Sequence, residues 1–201
     1  MAGEEPGSGD PGAATDSKTK GYAAREMRLR RPFAAGSTLG LFAHNAFETR
    51  AGVGLVFEPQ LGRRGAYALW GALIPLGFVA AVRGGKWDER LSALNAGIGV
   101  AGVAVHFKAW PWSLHGGLPM LDEAEGLRED QLPAYNAVLW AWGISSALSL
   151  LTETKRGSCG FALAGLLNFP ILLASADHHF RWAREQAKRE PERWSAALLE
   201  D

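Results

Sequence analysis

The chain has 201 residues, with 21 Lys and Arg set against 21 Asp and Glu, a hydrophobic fraction of 47% and a single cysteine. A formal charge of zero, with no stripe of Lys and Arg among exposed aromatics, argues against nucleic acid as a partner, because such binding needs a basic footprint to release counterions. Cys159 alone excludes an intramolecular disulfide, a CxxC redox pair, a thiolate zinc site and an iron–sulfur cluster, and three methionines give no thioether copper site.

Residues 1–22 combine Gly, Pro, Ser, Thr and charge with hardly an apolar anchor, a composition that cannot offset the entropy of ordering, so a disordered tail is expected there. The acidic, Pro- and Gly-rich start does not read as a secretory signal. A basic patch follows, Arg25, Arg28, Arg30 and Arg31, closed by Pro32 and suited to an anionic membrane leaflet. The next segment, FAAGSTLGLFAHNAFETRAGVGLVFEP from Phe33, is long and apolar enough to span. It nevertheless carries His44, Glu48 and Arg50, each costly in hydrocarbon. Three readings fit it: a fifth spanning helix with a buried polar site, an interfacial helix, or a re-entrant hairpin broken near Gly52 and Gly54.

Beyond it, Asp, Glu, Lys and Arg crowd into short links and leave four uncharged stretches of about 17 to 22 residues, the length that crosses a bilayer. They run from about Gly65 to Val82, Leu91 to Phe107, Leu132 to Thr152 and Gly157 to Ala176. All are rich in Gly, Ala and Ser, and the pairs Ala93/Gly97, Gly97/Ala101 and Gly160/Ala164 predict faces on which helices approach closely. Pro75 and Pro170 fall inside spans and predict kinks. Between the second and third spans, WPWSLHGGLP is shaped like a re-entrant or lid loop, and DEAEGLRED reads as a solvated surface helix. After the last span, RWAREQAKREPERW reads as a basic amphipathic tail.

The expected fold is therefore all-α: a multi-pass membrane bundle of four strong transmembrane helices over 65–180. A basic patch and an embedded or fifth spanning helix over 23–64 precede it, and a C-terminal tail over 181–201 follows. With four spans, one face collects Arg50, Arg63, Arg64, Lys108, Arg128, Arg181, Arg184, Lys188, Arg189 and Arg193, against Arg83, Lys86, Arg90, Lys155 and Arg156 on the other. The positive-inside rule then places both termini in the cytoplasm of a cell-membrane protein. A fifth span would split the charge nearly evenly.

In the four-span arrangement all five histidines fall on one face. His44 and Glu48, at i and i+4, share one side of a helix, the spacing of two ligands on one metal or of a base held by a carboxylate. His106, with Asp177 and His178, would add donors from two other helices. Imidazoles and carboxylates with open positions form the ligand set of non-haem iron and of catalytic zinc. The HxxxH and ExxH patterns of membrane desaturases and ferritin-like di-iron proteins are lacking, so several carboxylates would be needed for a di-iron site.

The expected site thus has His44, Glu48, His106 and His178 as metal ligands and Glu48, Asp177 and His179 as acid–base groups. Arg50, Asn45 and Trp140 are expected to contact substrate, with iron or zinc as cofactor. His115 is expected in the loop, and Trp142 is expected to fill the core. The leading expectation is a membrane-embedded enzyme, a metal-dependent oxidoreductase acting on a lipophilic small molecule. A metal-free acid–base isomerase or cyclase would use the same residues. The reading from another class is an accessory or assembly subunit whose small-residue faces bind a partner membrane subunit or a second copy.

Overall fold

The computed structural model describes residues 29–199, so the expected disordered tail, and Arg25 and Arg28 of the basic patch, lie outside the described residues. The chain is all-α, with one small hairpin. Its elements are α1 (Pro32–Ala51), α2 (Glu58–Arg83), α3 (Lys86–Ala109), β1 (Trp112–His115), β2 (Leu118–Leu121), α4 (Leu132–Leu148), α5 (Cys159–Leu166) and α6 (Phe169–Arg189). Four stretches are long and apolar enough to cross a membrane: Glu58–Arg83, Lys86–Ala109, Glu129–Glu153 and Arg156–Arg189. Proline in the first turn, where no N–H is missed, opens α1, α2, α4 and α6. Glycines at φ +80° and +78°, conformations that side chains resist, close α1 at Gly52 and α2 at Gly84.

α1 runs lengthwise along the bundle, antiparallel to α2 and α4. At its start the Phe33 and Ala34 N–H groups donate to the Glu153 carboxylate beyond α4, at 2.9 and 2.8 Å, a cap that favours negative charge on the helix dipole. Arg31 donates there to the Ala80 and Ala81 carbonyls that end α2. At its other end α1 meets the first turn of α4 and the last turn of α3 through Tyr135 and His106. A 20-residue helix is about 30 Å long, so α1 covers the depth of the bundle and does not lie on one face or fold back as a hairpin. The start of α1 and the end of α6 consequently lie at opposite ends of the bundle. His44, Asn45 and Glu48 turn inward and are buried, while Leu39 and Phe42 face out. Inward orientation is what lets a helix with these polar groups sit among apolar ones.

Small residues set the closest approach. A methyl on Gly97 would stand 3.0 Å from the Gly165 Cα and closer still to the Ala162 carbonyl oxygen; one on Gly165 would meet the Gly97 Cα at 2.8 Å. α3 and α5 therefore touch backbone to backbone, and Ala93 and Ala101 are buried beside the contact. On α5 the packing face is Ala162 and Gly165; Gly160 and Ala164 are exposed, contrary to expectation, because α5 presents the opposite side to α3. The last span breaks at Leu167 and Asn168, so Pro170 opens a new helix and does not sit inside a continuous one.

The 112–121 segment is an antiparallel hairpin, Trp112 opposite Leu121, turning through Gly116 and Gly117, both at positive φ as a tight two-residue turn requires. The Asn136 side chain pairs with both backbone groups of Leu121 and ties the hairpin to α4. The acidic stretch is not a surface helix: Gly126 at φ +80° interrupts it, Ala124 is buried, and only a 3₁₀ turn, Glu129–Gln131, forms. α6 runs unbroken through 181 to Arg189. Phe180, Ala183 and Ala187 then pack with Val53 and Leu198, and Ser195 donates to the Gly52 carbonyl at 3.0 Å, folding the tail under one end of the bundle.

Candidate metal centre

The end closed by that tail holds a buried polar cluster. α1 supplies His44 and Glu48 one turn apart, α3 supplies His106 from its last turn, and α4 supplies Tyr135 from its first. The Nε2 atoms of His44 and His106 stand 2.9 Å apart. Glu48 Oε1 lies 3.2 Å from the first and 4.0 Å from the second. The Tyr135 hydroxyl donates to Glu48 Oε1 at 2.8 Å and is 3.1 Å from His44 Nε2. Tyr135 is wholly buried, and the other three are less than a tenth exposed.

Proton inventory makes this cluster unusual. The outer nitrogen of each imidazole is already committed: His106 Nδ1–H donates to the Gly102 carbonyl at 2.6 Å, and His44 Nδ1–H donates to the Asn45 side-chain oxygen at 3.2 Å. Both Nε2 lone pairs then face each other and the carboxylate, with the single hydroxyl proton of Tyr135 to serve three acceptor atoms. Lone pairs at hydrogen-bond distance without a proton between them repel, so the arrangement calls for a cation. Either an additional proton or a metal ion serves. Outer-nitrogen hydrogen bonds that fix tautomer and ring orientation are what metal-bound histidines ordinarily have. His44, Glu48 and His106 thus fit one ion through one atom each.

Trp142 shapes the wall behind the cluster. Its ring lies 5.1 Å from that of His44 and the residue fits only because Gly40, Gly99 and Gly102 bear no side chain; a methyl on Gly102 would come within 2.6 Å of the ring, and one on Gly40 within 2.6 Å of Trp142 Cβ. In front opens a cavity of about 610 Å³, bounded by α1, α3, α4 and α6 and walled mainly by apolar side chains, among them Leu41, Ile98, Val105, Leu172 and Leu173. At its rim Glu125, from the loop after the hairpin, pairs with Arg184 of α6. Partial burial holds the Glu125 carboxyl above its ordinary range, against the opposing pull of Arg184.

Of the other residues expected at the site, Asn45 alone touches the cluster. Asp177 reaches the cavity rim but is exposed and bound by Arg181 at 2.6 Å. His178 is exposed on another side of α6, in a shallow groove with Gln60 and Ser175, and so is not a fourth ligand. His179 is buried in the cavity wall. It donates from Nε2 to the Val53 carbonyl at 3.0 Å, and its Nδ1 has no partner among the described residues. Arg50 is exposed at the end of α1 and does not neutralise the inward-facing Glu48. Trp140 donates to the Pro119 carbonyl at 2.8 Å and does not line the cavity, so it braces the hairpin and is not placed to contact substrate. Asn45 does line the cavity and orients His44. His115 stays in the hairpin with Ser113 and Asp122.

Sequence reasoning passed over Tyr135, a phenol early in its span just as Tyr67 is early in the first, and the Glu125–Arg184 pair, whose partners are 59 residues apart. No protein-family model, curated protein or solved structure matches this chain.

Proposed function

We propose that the protein is a membrane-embedded, metal-dependent oxidoreductase acting on a lipophilic small molecule. The observation that carries the reading is the convergence of three proton-poor donor atoms, from His44, Glu48 and His106, at the edge of an apolar cavity. Two imidazoles and a carboxylate with open positions form the ligand set of non-haem iron oxygenases, and iron held there would supply one-electron and oxygen chemistry at a bound substrate. Zinc accepts the same donors. The chain's own residues do the rest. Gly102 and Asn45 fix the two rings, Tyr135 orients the carboxylate, Trp142 backs His44, and the aliphatic wall receives a hydrocarbon and excludes water.

Elemental mass spectrometry of the detergent-purified protein tests this. Iron or zinc near one ion per chain is expected, lost in His44→Ala and His106→Ala and kept in His178→Ala. A folded protein without metal would overturn the reading. It would leave an acid–base isomerase, for which the Tyr135–Glu48–His44 chain of hydrogen bonds offers a proton relay, or an accessory subunit.

The site end is proposed to face the cytoplasm. With α1 crossing the bundle, that end gathers Arg50, Arg63, Arg64, Lys108, Arg128 and the basic residues from Arg181 to Arg193, against the N-terminal basic patch, Arg83, Lys86, Arg90, Lys155 and Arg156 at the other, so charge gives only a slight lean and the orientation rests on labelling. Cys159, exposed at the start of α5 near the opposite end, is a built-in probe. A membrane-impermeant maleimide should label it in intact cells, and labelling only after lysis would reverse the orientation.

A further inference from the structure

We infer that Tyr135 is a fourth ligand, and that the centre is a six-coordinate iron site with two adjacent open positions. This deepens the metal reading above and rests on it. An ion about 2.1 Å from each donor in octahedral geometry separates adjacent donors by about 3.0 Å and opposite donors by about 4.2 Å, whereas a tetrahedral ion sets every pair near 3.4 Å. Four donors make six pairs, and contacts in the structure set five of them. Four are short: His44–His106 at 2.9 Å, His44–Glu48 at 3.2 Å, His44–Tyr135 at 3.1 Å and Glu48–Tyr135 at 2.8 Å. One is long, His106–Glu48 at 4.0 Å. In an octahedron that pattern puts His106 and Glu48 opposite each other with His44 adjacent to both, and Tyr135, close to His44 and Glu48, takes a corner beside His44. The two vacant corners are then neighbours, one for a small oxidant and one for substrate.

A tetrahedral zinc site would need the 2.9 Å pair to spread and the 4.0 Å pair to close, both against side chains locked by Gly102, Asn45 and Trp142. An anionic carboxylate and a phenolate are hard oxygen donors and suit iron, above all ferric iron, as tyrosinate does when it ligates haem iron. Binding moves the Tyr135 hydroxyl proton to bulk water as the oxygen–metal bond forms, so loading releases a proton. Tyr135 is well placed for the role: Phe47 packs on its ring at 5.3 Å and its backbone sits in the first turn of a helix opened by Pro133.

The test uses the full chain in detergent, loaded with ferrous iron without oxygen and then oxidised with ferricyanide. Visible absorption and resonance Raman spectra of the ferric protein should show an intense band carrying tyrosinate ring modes. Tyr135→Phe should lose the band while retaining iron with affinity reduced about tenfold or more. Tyr67→Phe, on the exposed face of α2, should keep it. Iron held near one per chain without such a band, or a band that survives Tyr135→Phe, would overturn the inference and leave the three-ligand reading intact. Failure of the wild-type protein to hold iron would overturn this inference, and failure to hold either iron or zinc would overturn both. Should Tyr135→Phe not fold, the wild-type spectrum alone decides, since the Raman modes shift on tyrosine isotope labelling only if a tyrosinate is bound.

Discussion

The two halves of the last membrane segment treat α3 in opposite ways. α5 is pressed against it through Gly97 and Gly165, with no side chain between the backbones, whereas α6, beginning three residues after α5 ends, stands off far enough to leave a cavity of about 610 Å³. The break at Leu167 and Asn168 and the proline after it separate a clamped half from a splayed half. The lesson is that a site inside a membrane bundle needs both. Backbone contact fixes α5 on α3, Gly40, Gly99 and Gly102 let α1 and α3 close on Trp142 of α4, and the departure of α6 leaves accessible volume beside the His44, Glu48 and His106 donors.

Gly97→Leu attacks the clamp directly and should have the largest effect. Its side chain would have to displace the backbone of α5, at a cost of about 3 kcal/mol or more, so little folded protein is expected in size-exclusion chromatography. Glu48→Ala acts at the splayed end. It removes the carboxylate that His44 and Tyr135 share, and should cost about 3 kcal/mol, seen as a lowered melting temperature together with loss of bound metal. A Glu48→Ala protein with wild-type metal content would show that the donors act separately.

Leu173→Trp fills the cavity without touching the cluster. Binding of a fluorescent fatty acid should fall at least tenfold while metal content stays unchanged, and unchanged binding would place the lipophile elsewhere. The smallest effect belongs to Gly160→Ala. Nothing lies within 4 Å of where its methyl would go, so only helix propensity changes and stability should rise by at most about 1 kcal/mol in thermal denaturation. A destabilised Gly160→Ala protein would mean that this face of α5 meets a partner helix. The sharp contrast between Gly97 and Gly160 is the direct check on which side of α5 is clamped.

Local sequence carried the elements well. Uncharged runs of membrane-crossing length marked four helices, and the i, i+4 spacing of His44 and Glu48 marked one side of α1. It misled where a residue's role depended on the neighbour it met. DEAEGLRED has helical composition, yet Gly126 and the buried Ala124 hold it as a loop that delivers Glu125 to Arg184. His178 and His179 are adjacent in sequence and equally good ligands by chemistry, yet a helix turns successive side chains about 100° apart, so one enters the cavity wall and the other leaves the bundle. Neither composition nor spacing could have chosen Tyr135 over the other two tyrosines.

What the sequence determined by itself is a helical membrane bundle with a polar stripe on its first helix, because span length, charge exclusion and the 3.6-residue period are properties of single segments. What only the tertiary structure decided is that the first helix runs the depth of the bundle with this stripe inward, and that His106 and Tyr135, 62 and 91 residues from His44, meet it there. Those choices follow from which backbones can touch. Glycines at 40, 99 and 102 admit Trp142, those at 97 and 165 admit α5, and the donors converge only once these contacts have set the distances between helices.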